Sequence, residues 1–232
     1  MEAINLFVAI HPQLKTVVER MIAENLVRYE VLELEAGEYL FREGDGIRST
    51  FYVQRGLVKL SSNSADGYAK TIFLHKAGTL LGFQEFQEEG PKSSILNART
   101  SMRSTVVVID AQDFSRYLQA NGDACYAMAQ YLFSMLALET REAVNSSIYS
   151  VLQRFAALLL NLAHEFGANH EPALLPFSNA ELAEMLGVHV NSIANAITSL
   201  RRSGCIDKQR SYLAIIDFEK LRSVAENLVA SE

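Results

Sequence analysis

The segment from Ser178 to Arg202 sets two short amphipathic patterns around one glycine, and few folds accommodate that arrangement. Ser178 and Glu181 have capping-box spacing, in which the serine accepts from an amide three residues on and the glutamate reaches back. Leu182, Met185 and Leu186 recur at i, i+3 and i+4, the buried stripe of a helix. Gly187 suits the left-handed backbone at a helix C-terminus, and Val188 fills the corner. Ile193, Ile197 and Leu200 then repeat at i, i+4 and i+7, which turns Val190, Asn191, Ser192, Asn195 and Ser199 outward. This is the pattern of a helix-turn-helix, whose second helix is built to enter a major groove of double-stranded DNA.

Each outward residue has a matching chemistry. An asparagine amide near the start of an exposed helix can bond adenine N6 and N7 together, which suits Asn191 and Asn195. His189 and Ser192 are short enough to meet a phosphate beside the helix N-terminus, where amides attract anions. Arg201 and Arg202 follow at the far end as phosphate clamps. Residues 204–216 read as two short strands around a basic tip, a wing, with Lys208 and Arg210 on it. Between 201 and 210 those four cations face one acid, Asp207, in a chain of net charge −6. Such a patch beside a helix-turn-helix is expected to contact phosphates. The alternative is that this spacing arises in any helical bundle and that the asparagines are merely solvated.

At 232 residues the chain has room for two modest domains, and its 49% apolar content is that of a folded protein. The longest apolar stretch, 155–163, is interrupted by Asn161 and is too short for a bilayer. Glu2 stands where a signal peptide would carry positive charge. A cytoplasmic protein with no membrane partner is expected. Cys125 and Cys205 are far apart and fit two buried thiols better than a redox switch. The five histidines lack metal-ligand spacing, and no cofactor is expected.

The N-terminal half has a different rhythm. Residues 3–24 read as one or two short helices. From Tyr29 to about Asp110 short β-type runs alternate with glycines at 37, 44, 56, 67, 78 and 82, as in a sandwich or jelly-roll barrel. Thr105–Ile109 is a β-branched late strand, and His75 reads as a surface residue at a strand end. Helical spacing resumes at Asp113. Residues 122–147 form a long apolar helix on which Met128, Tyr131, Leu132, Met135, Leu138 and Glu139 fall near 3-4 spacing, as in a dimerisation helix. The alternative is a helix packed on its own barrel. Asn145-Ser-Ser weakens the helical pattern, as a hinge would. Val151–Glu165 is a strongly apolar helix of the next domain.

The order of barrel, long helix and winged helix resembles the cyclic-AMP receptor/fumarate-nitrate regulator family of bacterial transcription factors over nearly the whole chain. The likeness is carried by Ala36–Asp45 and Phe51–Leu60 in the barrel and by Gly78-Thr-Leu-Leu-Gly at the effector-pocket loop. Arg154–Ala163, Leu182–His189 and Ile197–Ile206 carry it in the DNA-binding part. The resemblance implies an α+β chain in three parts. Residues 1–116 are the N-terminal helices and a cyclic-nucleotide-binding-like jelly roll. Residues 117–147 are the dimerisation helix and hinge, and 148–232 the winged helix-turn-helix. It further implies a homodimer on a pseudo-palindromic operator, regulated by a small-molecule effector held beside the long helix. RNA polymerase is a partner it allows.

Departures from the family pattern narrow the effector. Cyclic-nucleotide-binding members have Gly-Glu in the pocket loop and an Arg-Ser pair about ten residues later, for the ribose and the cyclic phosphate. Here the loop reads Leu81-Gly82-Phe83-Gln84-Glu85, then Lys92-Ser93. A lysine lacks the bidentate grip of arginine, so cyclic AMP is not expected, although Glu85 could serve with a shifted loop. Phe83, Lys92, Tyr131 and Met135 suit an apolar ligand with one negative group; Glu139 completes the expected pocket. Iron–sulfur members carry an N-terminal cysteine cluster, and this N-terminus has none. Asn191 and Asn195 stand where many members have Glu and Arg, so a different half-site is expected. The Val-His segment resembles that of regulators of reductive dehalogenation. Two other readings compete: a metal cupin enzyme, which needs several barrel histidines, and a constitutive DNA-binding dimer with a degenerate, ligand-free barrel. No enzymatic activity is expected.

Overall fold

The computed structural model describes residues 5–64, 69–83, 93–168, 172–209 and 212–226. They form two compact units, one of residues 6–63 and 71–138, the other of residues 139–232 together with 1–5 and 64–70.

The first unit is a jelly roll of two four-stranded antiparallel sheets. Strands β1 (Tyr29–Leu34), β2 (Tyr39–Phe41), β3 (Ser49–Arg55), β4 (Leu57–Asn63), β5 (Ala69–Lys76), β6 (Leu80–Leu81), β7 (Asn97–Thr100) and β8 (Ser104–Asp110) pair in the orders β1-β8-β3-β6 and β2-β7-β4-β5. The β-branched run of β8 pairs with β1 and β3 on either side, Val107 opposite both Val31 and Tyr52. Val106 and Val107 point to opposite faces and, like Ile109, are fully buried, so both faces of this central strand are covered. Helix α1 (Pro12–Ala23) starts at a proline behind His11, and no helix precedes it among the described residues. The expectation of helix from residue 3 is therefore corrected. Phe7 instead bridges to Leu74 of β5, so this stretch is used as an extended cover on the sheet. Helix α2 (Ala111–Ala120) is capped by the Asp110 carboxylate, which accepts from the Asp113 amide at 2.9 Å.

Helix α3 (Gly122–Ile148) runs without a break. The hinge expected at Asn145-Ser-Ser does not form there. Glu142 and Asn145 are buried, and that packing overrides the weak local propensity. The helix ends at Ile148, and Tyr149-Ser150 makes the connection. In the first unit Ala124, Ala127, Met128 and Tyr131 are buried against the barrel, with Met135 and Leu138 packed on the same core. Tyr126, Leu132, Phe133 and Leu136 are exposed on the chain's own surface, as are Val144 and Ile148 further along. Cys125 is exposed, which corrects the expectation of a buried thiol; Cys205 is buried.

The second unit is built around α4 (Val151–Glu165). A Ser150/Gln153 capping box starts it, and almost every side chain from Arg154 to Ala163 is buried. Around it lie β9 (Ala173–Leu175), α5 (Asn179–Leu186), α6 (Val190–Arg202), β10 (Ile206–Lys208), β11 (Leu213–Ile215) and α7 (Phe218–Ala225). The three strands pair antiparallel in the order β10-β11-β9.

Candidate nucleic-acid interface

The α5–α6 pair is shaped by local chemistry. The Glu181 amide donates to Ser178 Oγ at 3.2 Å, and the Ser178 amide to Glu181 Oε2 at 2.8 Å. Gly187 is left-handed (φ 62°, ψ 46°) and turns the chain into α6. An L side chain resists this backbone, so the sharp corner depends on glycine. Leu182, Ala183, Met185 and Leu186 of α5 and Ile193, Ala196, Ile197 and Leu200 of α6 form the buried seam.

The outer face of α6 carries the residues named from the sequence. Val190, Asn191, Asn195 and Ser199 are exposed and Ser192 is half-buried. His189 is the N-cap: its Nδ1 accepts from the Asn191 amide at 3.2 Å. That bond needs a lone pair on Nδ1, so the neutral ring carries its proton on Nε2, a donor for a phosphate oxygen. Arg201 and Arg202 are both exposed. Arg201 Nε lies 3.4 Å from Asp207 Oδ1. Asp207 also accepts from the Lys208 amide and from Gln209 Nε2. Lys208 does not reach outward: its Nζ donates to the Phe177 carbonyl at 3.1 Å, and burial lowers its pKa. Arg210 lies outside the described residues.

Seven of the ten expected effector residues are described, six in the first unit and Glu139 in the second. Leu81 is buried on β6, and Gly82 holds φ 82° with an added Cβ only 2.7 Å from the Phe51 ring. Phe83 packs edge-on to Tyr131, ring centres 6.3 Å apart. Tyr131 is 1% exposed. Its hydroxyl donates to the Leu80 carbonyl at 2.6 Å and accepts from the Leu80 amide at 3.0 Å, tying α3 to β6. Met135 packs on the barrel core, and Ser93 bridges to Gly46. Glu139 belongs to the second unit, where burial raises its pKa against the pull of Lys70. Gln84, Glu85 and Lys92 lie outside the described residues.

Two features escaped the sequence. His75 is fully buried, not at the surface, and neither ring nitrogen has a hydrogen-bond partner; Thr71 Oγ1 is in the same condition. Burial alone pulls the His75 pKa down to about 3. The period-2 rule puts Thr71, Phe73 and His75 on one strand face, and the Phe73 and His75 rings meet edge to face. There is also a cleft of about 950 Å³ between α1 and the α2–α3 junction, lined by Pro12, Thr16, Arg20, Asn121 and Tyr126 among others. No expected effector residue lines it. Among the described residues no group of three or more His, Cys, Asp or Glu could hold a metal ion, and no helix is long and apolar enough to cross a membrane.

Known proteins match both halves. A cyclic nucleotide-binding domain family matches residues 31–121, and a Crp-like helix-turn-helix domain family matches residues 153–224. The chain belongs to the CRP/FNR family. As a CRP/FNR protein it is a DNA-binding transcription regulator. It is 24% identical to the electron transport regulator A of Shewanella oneidensis over 204 residues, 84% of this chain and 78% of that protein. Its fold is similar to that of CLP, a c-di-GMP-responsive global regulator of Xanthomonas campestris (TM-score 0.76, 20% identity, 85% of this chain and 99% of the other). It is also similar to that of TTHA1359, a CRP/FNR-family regulator from Thermus thermophilus (TM-score 0.73, 22% identity, 85% and 98%). None of these three singles out the narrower likeness of α6 to regulators of reductive dehalogenation.

Proposed function

We propose that two copies pair along the exposed face of α3 and present two α6 helices to successive major grooves of a pseudo-palindromic operator. The observation that carries this reading is α6 itself: Asn191, Asn195 and Ser199 exposed over a fully packed seam, with His189 capping the end that enters the groove. The pairing is supported by the stripe of Leu132, Phe133 and Leu136 on α3, since a contiguous exposed apolar face marks an interaction surface. Residues 1–116 sense, 117–147 pair and 148–232 bind DNA, in the cytoplasm, with RNA polymerase as the downstream contact. The effector is a small molecule other than cyclic AMP, held in the barrel beside α3. Phe83 stands where a ribose-binding glutamate would be, and its ring is committed to Tyr131.

Selection of bound sites from random DNA tests the first part. Inverted repeats with adenine at the positions facing Asn191 and Asn195 are expected; a consensus without two-fold symmetry overturns the paired reading. Thermal melts with candidate ligands test the second. Stabilisation by cyclic AMP alone would overturn the effector reading.

A further inference from the structure

The second unit buries an ion pair under conditions that favour apolar residues. Arg154 on α4 is 7% exposed and Glu142 on α3 is 8% exposed. Arg154 Nη2 donates to Glu142 Oε1 at 3.1 Å and to the Leu186 carbonyl at 2.8 Å. Glu142 Oε1 also meets Lys70 Nζ at 3.6 Å. The network is incompletely bonded: Arg154 Nε and Asn145 Nδ2 are buried without hydrogen-bond partners. Taking two charges out of water is costly, and a partly satisfied pair recovers little of that cost. Apolar side chains of the same volume would hold these helices at least as tightly. What the pair supplies is position.

The three bonded groups define that position. Leu186 is the last residue of α5, and its carbonyl is one of the orphan acceptors of a helix C-terminus. Gly187 and the His189 cap follow at once and aim α6. Glu142 sits six residues before the end of α3, and Tyr149-Ser150 is the whole link from α3 to α4. One guanidinium nitrogen, Arg154 Nη2, therefore joins α3 and α5 to α4 at the corner from which α6 departs.

We propose that Arg154, anchored by Glu142, is a positioning residue that fixes α6 relative to α3 and so sets the half-site spacing the dimer accepts. This rests on the paired reading above. The test uses the full chain and duplexes carrying the selected half-site either singly or as inverted pairs at stepped spacings. Affinity is read by fluorescence anisotropy, with thermal melts as the folding check. Wild type should prefer one spacing. Arg154→Met, which leaves buried Glu142 with Lys70 alone, should melt below the wild-type temperature and, while folded, bind the single half-site as wild type does. On the preferred spacing it should lose at least tenfold and spread its preference over neighbouring spacings. Glu142→Gln should broaden the preference in the same direction.

An Arg154→Met protein that keeps the wild-type spacing preference overturns the proposal. So does a loss that falls equally on single and paired sites. Should that variant fail to fold, an unchanged preference in Glu142→Gln overturns it instead. A wild type without any spacing preference overturns the paired reading first, a distinct result from a latch that fails.

Discussion

Asn191 and Asn195 stand exposed on α6 above a seam of isoleucine and leucine, whereas Thr71 and His75 are sealed inside the barrel with nothing to bond. Both pairs are polar residues on regular elements, yet their surroundings give them opposite uses. On α6 the apolar side is saturated, so the polar side is free to read a partner. In the barrel the polar groups are a standing cost, because an unsatisfied buried donor or acceptor loses its water without replacement. The DNA-reading end is finished before its partner arrives, and the barrel wall is not.

The most severe way to break this contrast is to remove the pairing proposed along α3. Leu136→Asp, on the exposed stripe of α3, should leave the fold intact and yield a monomer by light scattering. Operator affinity should fall on the order of 100-fold or more, as expected when two linked contacts become one. Full operator affinity in a monomeric variant would end the paired account.

His75 sharpens the other side. Its folded pKa of about 3 lies below the ordinary histidine value of 6.5, so protonation favours the unfolded chain. Above pH 6.5 the group costs nothing through titration. Below it, stability should fall by about 1.4 kcal/mol per pH unit until the pH nears 3. His75→Leu should abolish that part of the acid slope in a pH series of thermal melts. It should also stabilise the protein by about 1–3 kcal/mol at pH 8 by removing the unpartnered nitrogens. An unchanged acid limb would show that His75 is not sealed.

Smaller effects are expected on α6. Asn191→Ala or Asn195→Ala should lose roughly 1–3 kcal/mol on the selected site and relax preference at one base position. An unaltered consensus would mean that the helix lies in the groove in another orientation. Arg202→Ala should weaken all sequences alike and flatten the slope of log affinity against log salt by about one unit.

How much of this was legible follows from what each residue signals locally. The Ser178–Glu181 box, the Gly187 corner and the two stripes are short-range devices, so α5 and α6 could be placed to within a residue or two. The β-branched run at Thr105–Ile109 announced β8 for the same reason. His75 was misplaced because alternation shows which residues share a face but not which face is inward. The Arg154–Glu142 pair was invisible because its partners lie twelve residues apart on two helices. Asn145-Ser-Ser signals a break because local propensity carries nothing of the packing of Glu142 and Asn145. The pocket loop gave the identity of its residues, but Tyr131 turned out to be a tie between α3 and β6.

Asp207 carries a consequence for how this surface meets a duplex. Its carboxylate faces Arg201 and accepts from Gln209, so the basic tip holds an anion of its own. Only Nε of Arg201 meets that carboxylate, in an exposed pair of small energy. Part of the positive charge at this tip is thereby balanced within the chain itself, and the net charge offered outward is smaller than the count of its cations.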